Sequence, residues 1–466
     1  MTTTAVPPTN TADISGTVAR LRATFKSGKT RPVEWRREQL LRMRTMLVER
    51  EAELLAALAS DLGKPPTEAW VTDIGFVISE IDHVLRHLRR WTRPERVWAP
   101  LVTRPARAMI VREPVGVVLV IAPWNYPIQL LLSPLVGAIA AGNCAVGKPS
   151  EVAANTSATL ARLVPQYLDT EAVTIVEGAV PETQALLEER FDYIFYTGNG
   201  RVGRVVMEAA AKHLTPVTLE LGGKSPVIVD DTANLEVAAR RVAWGKYLNA
   251  GQTCIAPDYV LVSRGVEEQF VERVRRAVFD FYGPDPKASP DYGRIVNENH
   301  LRRLVGLLDG GKATIGGIAD EPERYLAPTV LQEVQPDAPV MHDEIFGPIL
   351  PVVPVSDVDE AIEFVNGRDK PLALYVFTGD RSVRDRVLDR TSSGGAAVNG
   401  TMFHVAVPEL PFGGIGPSGM GAYHGKASFL TFSHAKSVLR KGTKPDPDLA
   451  YPPYTPRKDR LMRRFL

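Results

Sequence analysis

Three side chains in this sequence have types that could serve as a nucleophile and its acid–base partners. Cys254 stands in Gly251-Gln252-Thr253-Cys254-Ile255-Ala256-Pro257, among small and polar residues rather than in the apolar run that usually houses an inert cysteine. The nearby glycine lets the backbone approach a ligand, and loop amides would lower the thiol pKa, so a reactive thiol is favoured over a buried one. Cys144, in the apolar run Asn143-Cys144-Ala145-Val146-Gly147, reads as buried and inert. Glu220, in LELGGKSP, and Glu344, in EIFGP, each stand beside glycine turns. A carboxylate near a thiolate suits a general base for water attack on a thioester. Spacing alone leaves a surface or capping role open for both.

Two stretches hint at a nucleotide. Gly142–Ser150, GNCAVGKPS, comes within one residue of a P-loop: Gly142, Gly147 and Lys148 fit, but Pro149 follows where Ser or Thr is needed. Pro149 cannot donate an N–H, and Ala145-Val146 reads as a strand, so the match is accidental. What remains is Lys148 at a strand end, with Glu151 three residues on. The second stretch, Thr197-Gly198-Asn199-Gly200-Arg201-Val202-Gly203, is a glycine-rich turn opening a helix, which suits a phosphate. No acidic residue closes a dinucleotide fingerprint about twenty residues later. Glu220 stands near that distance but in a following strand, and a ligand-free tight turn explains the stretch equally well.

The eight histidines invite a metal reading, and His83 and His87 are four apart on an expected helix. They lack a further Cys or acidic cluster, so no metal site is expected.

The elements that must position these residues follow from periodicity. Residues from about 15 to 93 read as amphipathic helices. RPERVWAPLVTRPARAMIVREP, rich in Pro and Arg, reads as an extended hairpin or arm. From Val115 strands and helices alternate: VGVVLVIAP, a helix from Pro127 to Ala141, NCAVGK, a helix from Asn155 to Val164, VTIVEG, PETQALLEER, YIFYTG and VGRVVMEAAAKHL. A second alternation runs through SPVIVDD, a helix from Leu235 to Leu248, YVLVS, a helix from Glu267 to Phe281, and strands at ILPVVPV, LALYVFT and GAAVN. This is the pattern of two doubly wound α/β domains, joined near Leu219–Gly223.

Composition narrows the class. The chain has 466 residues, 44% hydrophobic and 23% charged, enough for two domains with a large core. Lys plus Arg against Asp plus Glu is 55 against 54, which gives no basic field for nucleic acid. Two cysteines make no disulfide framework, and the polar N-terminal residues lack a secretory signal, so a cytoplasmic protein is expected. The greasy runs VGVVLVIAP and PIQLLLSPLVGAIAAG are too short or interrupted to span a bilayer. PRKDRLMRRFL could touch an anionic membrane surface weakly; the plainer reading is a solvated tail packed on the body.

Seven ordered blocks then resemble the aldehyde dehydrogenase superfamily, most closely its class 3, fatty aldehyde branch. They are APWNYP at 122–127, GKPSE at 147–151, YTGNGRVG at 196–203, TLELGGKSP at 218–226, GQTCIAPDYV at 251–260, EIFGPILPV at 344–352 and PFGGIGPSGMGAYHGKASFLTFSH at 411–434. Asn199, where most of the superfamily has Ser, fits the fatty aldehyde branch. Gly147, where a larger apolar residue is common, is expected to loosen the strand end.

The resemblance implies an aldehyde dehydrogenase-like fold of two Rossmann-like domains and a small β bridging element. It assigns 1–93 and 117–219 to an NAD-binding domain, 220–414 to a catalytic domain, 94–116 and 415–445 to the bridging element, and 446–466 to a tail. It implies oxidation of aldehydes, medium- to long-chain or aromatic, to carboxylic acids. Cys254 is the implied nucleophile, Asn125 with the Cys254 backbone N–H the oxyanion site, and Glu220 the general base. Glu344 is implied to hold the nicotinamide ribose, with a share in the base role left open, and Phe346 to lie beside the ring. Lys148 and Glu151 are assigned to the adenosine ribose, which favours NAD with NADP also accepted. Thr197, Gly198, Asn199, Gly203, Leu221 and Gly222 complete the cofactor side. Tyr126, Trp244 and Phe403 are candidate walls for the aldehyde, although core packing explains them equally well. The branch implies a homodimer and, without a hydrophobic anchor after RRFL, no stable membrane insertion. A cysteine-dependent esterase or thioesterase, a CoA-acylating dehydrogenase and a silent scaffold protein are the alternatives.

Overall fold

The computed structural model describes residues 13–100, 103–446 and 448–465. The polar segment 1–12, read above for its lack of a signal, lies outside the described residues, as do positions 101 and 102 of the arm.

Two parallel sheets organise the chain. In the first, the strands Val173–Ile175, Cys144–Lys148, Val117–Ile121, Tyr193–Thr197 and Val217–Glu220 run parallel in that spatial order. Val117–Ile121 and Cys144–Lys148 are buried at every position, as expected where helices cover both faces of a sheet. The strand order reverses between Val117–Ile121 and Tyr193–Thr197, and ligands in such sheets collect in the crevice at that reversal.

The helix Gln129–Ala141 is apolar on all sides and wholly buried. It packs against the helices Val33–Glu49, Gly75–Trp91 and Gly425–Thr431. The last of these approaches so closely that a Cβ on Gly137 would lie 2.7 Å from Ser428 Cβ.

The second sheet runs Lys312–Ile315, Thr329–Gln332, Ile349–Val355, Tyr259–Ser263, Pro226–Val229, Ala373–Phe377 and Gly395–Val398, parallel except at its first strand. The first sheet's last long strand ends at Glu220 and the second sheet begins at Pro226, so only five residues separate them.

A third sheet pairs Glu95–Val97, Ala106–Pro114 and Ser433–Lys441 antiparallel. The arm is thus the expected hairpin. Of the expected bridging segment 415–445, only Ser433–Lys441 joins it; Gly419–Met420 instead adds to the Val217–Glu220 edge, with Gly419 opposite Glu220.

Two further expectations change. Gly147 does not loosen its strand, because Ile175, Leu131 and Leu135 fill the space, and an added Cβ would lie 2.8 Å from Ile175 Cδ1. The basic tail forms a helix, Pro456–Phe465, that stands largely exposed. No described helix is long and apolar enough to cross a membrane.

Candidate active site

Cys254 lies in the turn between the helix Leu235–Tyr247 and the strand Tyr259–Ser263. The chain reaches it through two consecutive non-glycine residues in left-handed conformation, Asn249 (φ 52°, ψ 31°) and Ala250 (φ 50°, ψ 35°). Each such residue costs on the order of 1–3 kcal/mol and persists only where its surroundings hold it. Here Asn249 Nδ2 donates to the carbonyls of Asn125 (2.9 Å) and Gln252 (3.1 Å). The Gln252 side chain, itself buried, donates to Asn249 O and Arg294 O and accepts from Val296 N, each at 2.9 Å. Asn125, beyond the C-terminal end of Val117–Ile121, donates one Nδ2 proton to Gln252 O at 3.0 Å. Its second Nδ2 proton has no acceptor among the described hydrogen bonds, so a buried donor is held beside the cysteine turn.

Glu220, the last residue of its strand, is buried with neither carboxylate oxygen hydrogen-bonded. Burial alone pushes its pKa well above the ordinary carboxylate range. Glu344 is pushed up to about 8, by burial first and then by Asp258, against the opposing Gly223 N–H, Lys224 and Arg303. The Glu344 carboxylate abuts Gly222, where a Cβ would collide with it, and Glu344 Oε1 has no partner. Its loop is clamped from two sides. Lys224 pairs with Asp258 and donates to Val340 O (2.9 Å) and Asp343 O (3.0 Å), while Asp258 accepts from Ile345 N (3.0 Å). Arg303 donates to Ile345 O at 2.6 Å.

The Cys254 thiol departs from expectation. The N–H groups of Cys254 and Ile255 do stabilise its thiolate, but burial, then Glu344 and Glu220, outweigh them and raise the pKa. The reason is tertiary: the flanking residues are small, yet Glu344 and Glu220 come from distant segments to face a sulfur that is only partly exposed.

One cavity of about 1290 Å³ joins these groups and extends along the crevice of the first sheet. Cys254, Asn125, Glu220, Glu344, Lys148, Glu151, Thr197, Gly198, Asn199, Leu221, Gly222 and Phe346 all line it. Asn199 caps the helix Gly200–Ala211 by accepting from Val202 N at 3.0 Å, so its side chain serves the turn. Gly203 lies under the turn rather than in the lining; a Cβ there would meet Leu221 Cδ2 at 2.9 Å. Lys148 Nζ is buried, donates to Pro149 O at 2.8 Å and stands 3.6 Å from Glu151 Oε2. A dinucleotide fits this crevice. The helix Gly200–Ala211 points its N-terminus at it, and Thr197 Oγ1 and Glu344 Oε1 are buried polar atoms still without partners.

The three candidate substrate residues lie outside that lining. Tyr126 is buried, its hydroxyl meeting Thr253 Oγ1 at 2.5 Å. Trp244 stacks on Phe403, ring centroids 4.9 Å apart and 8° from coplanar, with Phe403 56% exposed.

Several lining residues carried no signal of their own. Trp124 makes an aromatic wall with Phe346 (5.3 Å) and His300 (5.0 Å). Tyr423 and Phe412, 5.8 Å apart, close the cavity beside Glu220. Trp124, Phe412 and Tyr423 stood inside the quoted blocks, whereas His300 and Arg303 come from the helix Glu298–Val305, outside all seven. His83 and His87 pack ring to ring at 4.5 Å, and among the described residues no three His, Cys, Asp or Glu side chains are arranged to hold a metal.

The profile described as the aldehyde dehydrogenase family matches residues 2–438. The chain belongs to the aldehyde dehydrogenase family. It is 53% identical over 451 residues to aldehyde dehydrogenase family 3 member A2 of Mus musculus, covering 96% of this chain and 93% of the relative. It is 51% identical over 430 residues to the dimeric NADP-preferring aldehyde dehydrogenase of Rattus norvegicus, covering 92% and 95%. The substrate-bound Staphylococcus aureus AldH structure superposes with TM-score 0.95 at 44% identity, covering 97% and 99%. As an aldehyde dehydrogenase of the class 3 type, this enzyme oxidises aldehydes to carboxylic acids with NAD(P), on two α/β sheets of the family's fold.

Proposed function

We propose that Cys254 is the nucleophile, Asn125 the oxyanion donor and Glu220 the hydrolytic base. The observation that carries this reading is the convergence of all three on one cavity, with both Glu220 oxygens buried and unpartnered. Cys254 Sγ bonds to the aldehyde carbon as the thiolate, the thiol proton having left through the cavity to solvent water. The carbonyl oxygen, now an oxyanion, is met by Asn125 Nδ2 and the Cys254 N–H. The nicotinamide, when bound, supplies the acceptor for the hydride. Glu220 then takes a proton from water, whose oxygen bonds to the thioester carbon as the C–S bond breaks. A carboxyl that holds its proton in a dry site and sheds it as water enters suits this role. Glu344, Phe346 and Trp124 would hold the nicotinamide end; Lys148 and Glu151 would hold the adenosine ribose. The Glu151 carboxylate suits a free 2′-hydroxyl and repels a phosphate, which favours NAD over NADP.

The stacked Trp244–Phe403 pair, outside the lining of that cavity, is the candidate apolar wall for medium- to long-chain or aromatic aldehydes. The ladder of nine residue pairs between Ala106–Pro114 and Ser433–Lys441, with Leu439 52% exposed, supports a homodimer bridged there. The two cysteines, both free, suit a reducing compartment, and the cytoplasm is the proposed location. A chain-length series of aldehydes with NAD and NADP tests the reading: kcat/KM should rise with apolar length and be higher with NAD. Ester turnover without NADH formation from any aldehyde would favour the esterase alternative.

A further inference from the structure

Both halves of the oxyanion site are tied to a third piece of chain, residues 64–73 of the N-terminal helical layer. Glu68 Oε1 accepts the N–H of Asn249 at 2.9 Å, at the first of the two left-handed residues before the cysteine turn. Lys64 and Asp73 form an ion pair of 2.7 Å with both side chains sealed from solvent. The other Asp73 oxygen accepts from Ile128 N and Gln129 N, each at 3.2 Å, at the start of the helix that follows Asn125. Lys64 Nζ lies 3.9 Å from the centroid of the Tyr126 ring, whose hydroxyl reaches Thr253. A π-helical turn, Trp70–Ile74, carries Asp73 to this place, and such turns recur at functional sites. Buried ion pairs are weak stabilisers. Here each charged group bonds to a neighbour of Asn125 or of Cys254 rather than to the surrounding core.

We propose that Glu68 is a positioning residue for the oxyanion site. By holding the Asn249 N–H it fixes the left-handed turn. From that turn the Asn249 side chain orients the Asn125 and Gln252 carbonyls, and through Gln252 the Asn125 amide. The Lys64–Asp73 pair fixes the Asn125 side from the same segment. The inference rests on Asn125 being the oxyanion donor, and a double-mutant cycle separates the two claims.

Glu68→Ala should lower kcat for aldehyde oxidation about tenfold, while the Kd for NAD, measured by fluorescence titration, stays within about twofold. Glu68→Gln, which keeps an acceptor oxygen, should restore most of the loss. Glu68→Leu, which fills the same volume without an acceptor, replaces the alanine variant if that one does not fold. In the Asn125→Ala background, Glu68→Ala should cost little more, because the donor it positions is already gone. Full multiplication of the two losses, or a Glu68→Gln loss equal to that of Glu68→Ala, overturns the proposal. A silent Asn125→Ala would overturn the site reading and this inference with it.

Discussion

The Asn125 side-chain amide donates to the carbonyl of Gln252 at 3.0 Å, two residues before Cys254. With the bonds from Asn249 Nδ2 to Asn125 O and between Tyr126 and Thr253, it joins the crevice of the first sheet to the turn that carries Cys254. Asn125→Ala removes a buried donor that lines the same cavity as the thiol. It should lower kcat by about 10²–10³-fold with a much smaller change in KM, the pattern of a group that acts in the transition state. Steady-state kinetics with one aldehyde decide it; a change confined to KM would sink the assignment.

Glu220 has no hydrogen-bond partner to lose, so Glu220→Gln should leave the fold and the first hydride transfer nearly intact. Hydrolysis of the thioester should slow, and rapid mixing should show a burst of about one NADH per site before a slow steady state. If the burst is absent and the first turnover itself is slow, Glu220 acts earlier than proposed.

Glu344 carries a stability consequence with a definite sign. Its folded pKa of about 8 lies above the ordinary carboxyl value of the unfolded chain. Between roughly pH 4.5 and 8 the native state therefore keeps a proton that the unfolded state has released, and stability falls as pH rises. Glu344→Gln removes this term. Its stability advantage over the wild type should grow across that window by at most about 1.4 kcal/mol per pH unit. Urea unfolding midpoints of the cofactor-free proteins at several pH values test this; a difference that stays flat would contradict it.

The ribose assignment can be read from cofactor choice. Glu151 is half-exposed, 3.6 Å from Lys148. Glu151→Gln removes the charge that opposes a 2′-phosphate and leaves the lysine that attracts one. The ratio of kcat/KM for NADP to that for NAD should rise about tenfold, or about 1.4 kcal/mol. An unchanged ratio would move the ribose elsewhere.

Where the chemistry depends on local signals, the sequence was readable. Buried parallel strands announce themselves as apolar runs such as VVLVI, and the glycine-flanked Cys254, Glu220 and Glu344 do meet in one cavity. What was not legible depends on segments far apart in the chain. Asn249 is of a type that visits the left-handed region, but nothing local marks Ala250, and the hold comes from Asn125, Gln252 and Glu68. The sign of the Cys254 shift was missed for the same reason: the local amides act as expected, and burial by distant chain reverses the outcome. Gly147 misled because its space is filled by Ile175 from the neighbouring strand. Arg303 and His300 come from a helix with no glycine turn or motif to single it out.

The most direct test of the account is single-turnover NADH formation on mixing enzyme, NAD and a medium-chain aldehyde, wild type against Cys254→Ala. The wild type should produce one NADH per site and a transient acyl adduct, found by mass spectrometry on the peptide containing Cys254. Cys254→Ala should bind NAD normally and produce neither. NADH formation by Cys254→Ala at the wild-type rate, or an adduct on any other residue, would contradict covalent catalysis at Cys254.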